Sequence, residues 1–320
     1  MIRYVAWQAA TMVAVLIGAI ALLVVLTEFI PGDAASVLLG SRATPASIAA
    51  LRSEMGLDLP VYQRIAMFVF NAARGDLGTD VISGRDIASQ VFAVVPNTLV
   101  LAFSAILLAA LVGVPIGVHA AARPDGFFDR LTAYISVGLI STPSFVIGIL
   151  LLLVFSVRLG WTPVLGGGEG QGLLARLHHL ILPALAIACG WVGYIARQIR
   201  ASLLDVLGQD YIRTARAYGL PNRTIRYRYA LKIAIIPVLS VLGIGIGDII
   251  GKSVFVEIIF NRPGIGSLIN ESLQNRNYPV VQAGVLVVVF LFVAINAAID
   301  IVFAWLDPRI RERLFRAESA

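Results

Sequence analysis

Asp248 and Lys252 stand four positions apart inside an otherwise uncharged apolar run, about Ile233 to Val256. On a helix that spacing puts carboxylate and ammonium on one face, where pairing offsets the cost of placing either group in lipid. Ionisable groups inside a membrane are functional candidates by default. The pair is therefore read either as part of a pathway that meets the charged ends of a solute or as a structural ion pair. Other reactive types are sparse. His178 and His179 are adjacent and His119 is far from them, which assembles no metal-ligand cluster. Cys189 is the single cysteine, so no intrachain disulfide can form, and no Ser/His/Asp arrangement is signalled. Gly251-Lys252-Ser253 approaches a phosphate-binding loop, but the first glycine would fall at Ile246, and the stretch lies in an apolar run rather than after a soluble strand. The expectation is a chain with no catalytic residues, no metal and no nucleotide or other cofactor of its own.

The same run carries Gly243, Gly247 and Gly251, a repeat of four that leaves one helix face without side chains. Another helix can pack closely there, either from within the chain or from a partner in the membrane.

The elements that must hold these residues follow from composition. Hydrophobic residues make up 58% of the chain and charged residues 14%, against about 25% charged in soluble proteins, and the mean hydropathy is +0.87. The apolar surplus is grouped into six stretches near the ~20 residues a spanning helix needs. They run from about Ala9 to Thr27, Pro96 to Ala122, Leu131 to Val157, Leu180 to Ala196, Ile233 to Val256 and Val280 to Leu306. The first is read as an uncleaved anchor, since no small-x-small site follows it. Pro96, Pro115, Pro143, Pro183 and Pro237 lie in or at the starts of spans and are candidate bends. Glu28 and Asp300 sit near span ends, where water or a basic loop can take them.

Basic residues set the orientation. With both termini inside, 15 Lys/Arg fall on the cytoplasmic side, eight of them between Arg197 and Lys232, and nine fall outside, five of these spread over the long segment from Pro31 to Val95. Short Arg-rich loops decide this rule and long segments count little. The expected organisation is an N-terminal spanning helix (1–30), an extracytoplasmic helical segment (31–95), a five-helix core (96–306) and a cytoplasmic tail (307–320).

The most basic loop holds a short polar helix between two apolar runs, Asp210-Tyr211-Ile212-Arg213-Thr214-Ala215-Arg216-Ala217-Tyr218-Gly219. Asp210 is a good N-cap, Gly219 can supply a left-handed C-terminal residue and Pro221 forbids continuation, giving about two turns and roughly 12 Å. Tyr211, Ala215 and Tyr218 share a face at helical period, with Arg213 nearly opposite. A helix this short is marginal alone, so the membrane domain, lipid headgroups or a partner must hold it. Its weak apolar stripe argues against lipid, and Ala215, Ala217 and Gly219 permit close approach by a protein.

That segment resembles the cytoplasmic coupling motif of ABC importer permeases, with Arg213-Thr214-Ala215 where the family usually has Glu-Ala-Ala. Ile30-Pro31-Gly32-Asp33, Arg74-Gly75-Asp76-Leu77-Gly78, Leu159-Gly160-Trp161, Phe260-Asn261-Arg262-Pro263-Gly264-Ile265-Gly266, Tyr278-Pro279-Val280-Val281-Gln282 and Asp307-Pro308-Arg309-Ile310-Arg311 are similar to the dipeptide/oligopeptide/nickel group of such permeases, B-type. The resemblance implies an all-α polytopic membrane protein with six transmembrane helices, both termini cytoplasmic and the type I ABC importer permease fold. It implies a bacterial or archaeal cytoplasmic membrane and import of peptides or similar small solutes. It implies a second homologous permease, two ATPase subunits that bind ATP and Mg, an extracytoplasmic binding protein, surrounding lipid and no nucleic acid. Asp210, Tyr211, Arg213, Thr214, Ala215, Arg216, Ala217, Tyr218 and Gly219 are then the ATPase-coupling residues. A self-sufficient secondary transporter or channel using the buried charges is the alternative, and no clear inverted repeat favours it.

Thr44-Pro45 in the outer segment reads as a helix start with proline at the first position, and a second amphipathic stretch runs from Val61 to Arg74. Gly166-Gly167-Gly168 reads as a flexible outer loop.

Overall fold

The structure, a computed structural model, describes residues 2–29, 34–39 and 44–306. The Ile30–Asp33 and Asp307–Arg311 motifs, the tail and the Asp300 side chain lie outside the described residues. Helices dominate, and the only strand-like feature among the described residues is an isolated bridge between Thr79 and Asp86.

The chain divides into two compact units, residues 1–98 with 263–320, and residues 99–262. This differs from the linear division expected from hydropathy. The first unit holds α1 (Ile2–Glu28), α2 (Ala34–Leu39), α3 (Pro45–Glu54), α4 (Val61–Ala73), the first turns of α5 (Ile87–Ala122), α13 (Ile265–Gln274) and α14 (Tyr278–Leu306). Here α14 packs on α1 and α13, and α4 on α1. The α3 start is built as its residues dictate: Thr44 Oγ1 accepts from Ser47 N–H, Ser47 Oγ accepts from Thr44 N–H, and Pro45 occupies the first turn. Glu28, at the end of α1, pairs with Arg64 of α4.

The second unit continues α5 and adds α6 (Phe127–Ser141), α7 (Ser144–Leu151) running on as a π-helix over Leu152–Arg158, and α8 (Leu173–Leu207). Next come α9 (Asp210–Ala217), α10 (Asn222–Thr224), a π-helical stretch Ile225–Ala230, α11 (Leu231–Ala234) and α12 (Ile236–Ile259). The central element is α8, which packs against α6, α7, α11, α12 and the π-helical stretch.

Four helices are long and apolar enough to cross a membrane, within α1, α5, α8 and α14, and two bent pairs bring the candidate spans to as many as six. The third span, expected over Leu131–Val157, bends at Pro143, one of the prolines read as candidate bends. It breaks by 103° between Ser141 and Ser144. The cause is local: Pro143 has no N–H and forces Thr142 to extended backbone, φ −90 and ψ 123. Gly138 O accepts both the Thr142 N–H at 3.1 Å and Thr142 Oγ1–H at 2.8 Å, which fixes Thr142 at the end of the helix. The fifth span bends by 45° between Ile236–Gly243 and Gly245–Ile259, where glycines weaken the helix. Pro96 and Pro115 lie inside α5 and Pro183 inside α8 without ending either helix.

Small residues outside the fifth span also set close packing. A Cβ on Gly117 would lie 2.5 Å from Ala196 O, and one on Gly113 would lie 2.9 Å from Ile195 Cβ, so α5 and α8 approach backbone to backbone through a G-x-x-x-G pair. Gly193 does the same for α8 and α6, 2.9 Å from Ser136 O. Arg200 of α8 grips the buried Asp129 of α6 with two donors, Nη2 to Oδ2 at 2.6 Å and Nε to Oδ1. Asp125 N–H, from a residue at φ 62, donates to the same carboxylate at 2.9 Å.

Candidate functional site

The short helix α9 is held from one side. Ile212 is fully buried and Ala215 nearly so, in one apolar cluster with Ile195, Ile199 and Leu203 of α8 and Ile225 and Ala230 of the π-helical stretch. The chain's own membrane domain therefore supplies the support that two turns cannot supply themselves. This corrects the Tyr211–Ala215–Tyr218 face: Tyr211 is exposed and Tyr218 is 83% exposed, because the buried stripe runs through Ile212 and Ala215. Asp210 is also one position inside the helix rather than its cap. The N-cap is Gln209, and Asp210 instead pairs with Arg213 at 3.1 Å.

The helix ends in a Schellman motif. Gly219 N–H donates to Arg216 O at 2.9 Å and Leu220 N–H to Ala215 O at 3.3 Å, with Gly219 at φ 76. Leu220 packs on the same cluster. The outward surface is Asp210, Arg213, Thr214, Arg216, Ala217, Tyr218 and Gly219, and a Cβ on Gly219 would meet nothing within 4 Å. It is polar, and small at its end.

In α12, Lys252 Nζ donates to Asp248 Oδ2 at 2.5 Å, and both side chains are a little under half exposed. Lys252 Nζ lies 5.9 Å from the Trp191 ring of α8, a cation–π geometry. The Trp191 Nε1 donor is buried and has no hydrogen-bond partner among the described residues. The ring fills the space over Gly245, where a Cβ would lie 2.1 Å from it. Gly245 is therefore an internal packing glycine of this span. Gly243 and Gly247 are buried, whereas Gly251 is exposed with nothing within 4 Å, so Gly251 serves no internal packing.

A second charged pair escaped the sequence reading. Glu257, fully buried at the end of α12, and Arg262, 5% exposed, interact electrostatically across the turn that follows. Arg262 N–H donates to Glu257 O at 2.9 Å, and Asn261 between them takes φ 44. Burial pushes the Arg262 guanidinium pKa down, and Glu257 and Glu169 oppose that shift. Gly166 N–H donates to Phe260 O at 2.9 Å, so the glycine-rich loop is pinned to this turn rather than free. His178 bonds Trp161 O and His179 bonds Ala175 O, both at 2.9 Å. Among the described residues no group of His, Cys, Asp or Glu can hold a metal.

In the first unit, Gly75 and Gly78 turn the chain at positive φ and Asp76 Oδ1 accepts from Gly78 N–H at 2.8 Å. Tyr278, Pro279 and Gln282 of α14 join Met67, Leu77 and Gly78 in lining a cavity of about 260 Å³. The neighbouring loop is tied to the start of α14 by Asp80, which accepts from Ser83, Ile82 N–H, Gln90 and Asn277. Burial pushes the Asp80 pKa up, but those hydrogen bonds together push it further down, and the net is below its ordinary 3.8. A depressed carboxylate stabilises the fold above the unfolded-state value and loses that contribution as pH falls through the folded value. The hydrogen-exchange protection factor of this loop, which removes the intrinsic pH dependence of amide exchange, is thus expected to be flat in its Asp80 contribution from about pH 5 to 7 and to fall below about pH 4. The Asp80→Asn variant loses that acid-side step.

Residues 113–312 match the family described as binding-protein-dependent transport system inner membrane component, and residues 1–101 match its N-terminal companion. The chain is 37% identical to the probable D,D-dipeptide transport system permease protein DdpB of Escherichia coli K12, covering 93% of this chain and 94% of that one. It is also 37% identical to the glutathione transport system permease protein GsiC of the same strain, covering 89% and 90%. A chain of the inward-facing MetNI methionine ABC transporter shares the fold, with a TM-score of 0.56 and 18% identity over 68% of this chain and 96% of that one. An all-helical, multi-pass chain with these matches is a permease subunit of an ABC importer. It belongs to the binding-protein-dependent transport system inner membrane component family.

Proposed function

We propose that this chain forms half of a translocation pathway for peptides or peptide-like solutes in a bacterial cytoplasmic membrane, beside a second, homologous permease. Two ATPase subunits bind ATP and Mg, while this chain binds neither. An extracytoplasmic binding protein delivers the cargo. Support for the cargo class comes from the dipeptide and glutathione named for the relatives at 37% identity.

The observation that carries the coupling role is the two-sidedness of α9. Its inner face is part of the α8 cluster, while Arg213, Thr214, Ala217, Tyr218 and Gly219 are offered outward. An ATPase that grips the outer face moves the inner one, and with it α8. Asp248 and Lys252, partly exposed within a spanning segment, then stand where they meet the termini of a zwitterionic cargo.

Reconstitution in proteoliposomes with partner permease, ATPases and binding protein tests this. Uptake of a dipeptide or glutathione is expected to require ATP on the ATPase side and to persist when a protonophore collapses ion gradients. Uptake driven by a proton or sodium gradient without ATP would overturn it.

A further inference from the structure

Three elements of the second unit meet at one end: the last turn of α5, the first turn of α6 and the π-helical Ile225–Ala230. Between them lies a cavity of about 610 Å³ lined by His119, Arg123, Gly126, Phe127, Phe128 and Arg226. Among the described residues no acidic one lines it. The carboxylates of the adjoining loop point elsewhere, since Asp125 and Asp129 line a neighbouring recess with Arg130 and Arg200, and Asp129 is consumed by Arg200. Among the described residues Arg123 has no ion pair, and Arg226 has one hydrogen bond, Nε to Asn222 O at 3.3 Å, which leaves its terminal nitrogens to donate. His119 stands edge-on to Phe128 at 5.5 Å, holding the aromatic wall. Two uncompensated guanidiniums around an otherwise neutral hollow suit a phosphate ester, whose oxygens accept forked donors.

The source of that phosphate follows from the surroundings. The cavity sits where two apolar helices end, on the side that the Arg-rich loops mark as cytoplasmic, and the cytoplasmic leaflet carries the anionic lipids. From its rim an apolar stripe runs along α6. Phe127, Leu131 and Tyr134 are four and seven positions apart and share one face, with Phe127 83% and Tyr134 78% exposed. A phosphate in the cavity attached to acyl chains would lay those chains along this stripe.

We propose that this cavity binds the phosphate headgroup of an anionic phospholipid from the cytoplasmic leaflet, phosphatidylglycerol being the simplest. Because Ile225, in the same stretch as Arg226, packs in the cluster that supports α9, an occupied site braces the base of the coupling helix.

The full complex, purified and delipidated, is tested by native mass spectrometry and thermal shift with phosphatidylglycerol, phosphatidylcholine or inorganic phosphate. Phosphatidylglycerol is expected to be retained about tenfold more strongly than phosphatidylcholine and to raise the melting point, with inorganic phosphate doing neither. The Arg123→Gln/Arg226→Gln variant loses the preference, while Arg223→Gln/Arg228→Gln, an equal charge loss at exposed positions outside the cavity, keeps it. Equal retention of both lipids by the wild-type complex overturns the proposal without reference to any variant. Stabilisation by inorganic phosphate matching that by lipid overturns the lipid assignment, and loss of preference in the control variant overturns the assignment to this cavity. Dipeptide uptake is scored separately, so failure of the lipid site leaves the import reading standing.

Discussion

Ala217→Trp abolishes ATP-driven uptake, by about tenfold or more, while the chain still inserts and remains monodisperse. The position is exposed in the last turn of α9, so a large side chain there can extend toward solvent. Its intrinsic cost is only the helix-propensity difference from alanine, about 0.5 kcal/mol. The neighbouring choices fail as tests. Ala215 is inside the cluster with Ile212, and a bulky residue there disrupts packing before it disrupts docking. Gly219 sits at φ 76, where any L side chain is strained by roughly 1 kcal/mol, so its substitution mixes a weakened cap with a blocked surface. Co-purification of the ATPase and uptake by proteoliposomes are the measurements. Full uptake with ATPase still bound would remove the coupling role from this face.

The largest stability effect is expected at Arg200. Replacing it with methionine leaves the Asp129 carboxylate buried with the Asp125 N–H as its only remaining hydrogen-bond donor among those described, a loss of about 3–5 kcal/mol for a broken buried pair. Asp129→Asn costs less, because the partly exposed Arg200 can turn to water. Arg200→Met/Asp129→Leu recovers much of the loss, since an apolar pair of similar volume avoids the stranded charge. Thermal unfolding of the detergent-solubilised complex gives the order: single Arg variant lowest, double variant above it. The reverse order would show that the pair is solvated in the membrane.

The spans were legible because hydropathy depends only on neighbours in sequence. Pro143 was visible as a candidate bend, yet the size of the break depends on where Thr142 and its hydroxyl can go once the ladder is cut. The segment of α9 was legible as a helix closed at its C-terminal end, with Gly219 left-handed. Its buried face was misassigned because two tyrosines outweighed one isoleucine, although Ile212, Ala215 and Leu220 were all in plain view. The Gly113–Gly117 pair was equally readable, and the Gly243–Gly247–Gly251 repeat drew attention from it. Two pairs lay beyond such reading. Asp129 and Arg200 are 71 positions apart, and Glu257 with Arg262 is joined by a turn whose left-handed Asn261 no periodicity announces.

The unbroken length of α8 has a mechanical consequence. From Leu207, beside α9, back to Pro183 the helix runs without interruption, about 37 Å at 1.5 Å per residue. Over such an arm a 5° rotation about the proline end displaces the other by about 3 Å. Push and swing are thereby geared: a shift of α9 no larger than one residue's advance along a strand corresponds to a few degrees of turn in the central helix, to which α5 is held through Gly113 and Gly117 and α6 through Gly193, with no side chains there to slip over.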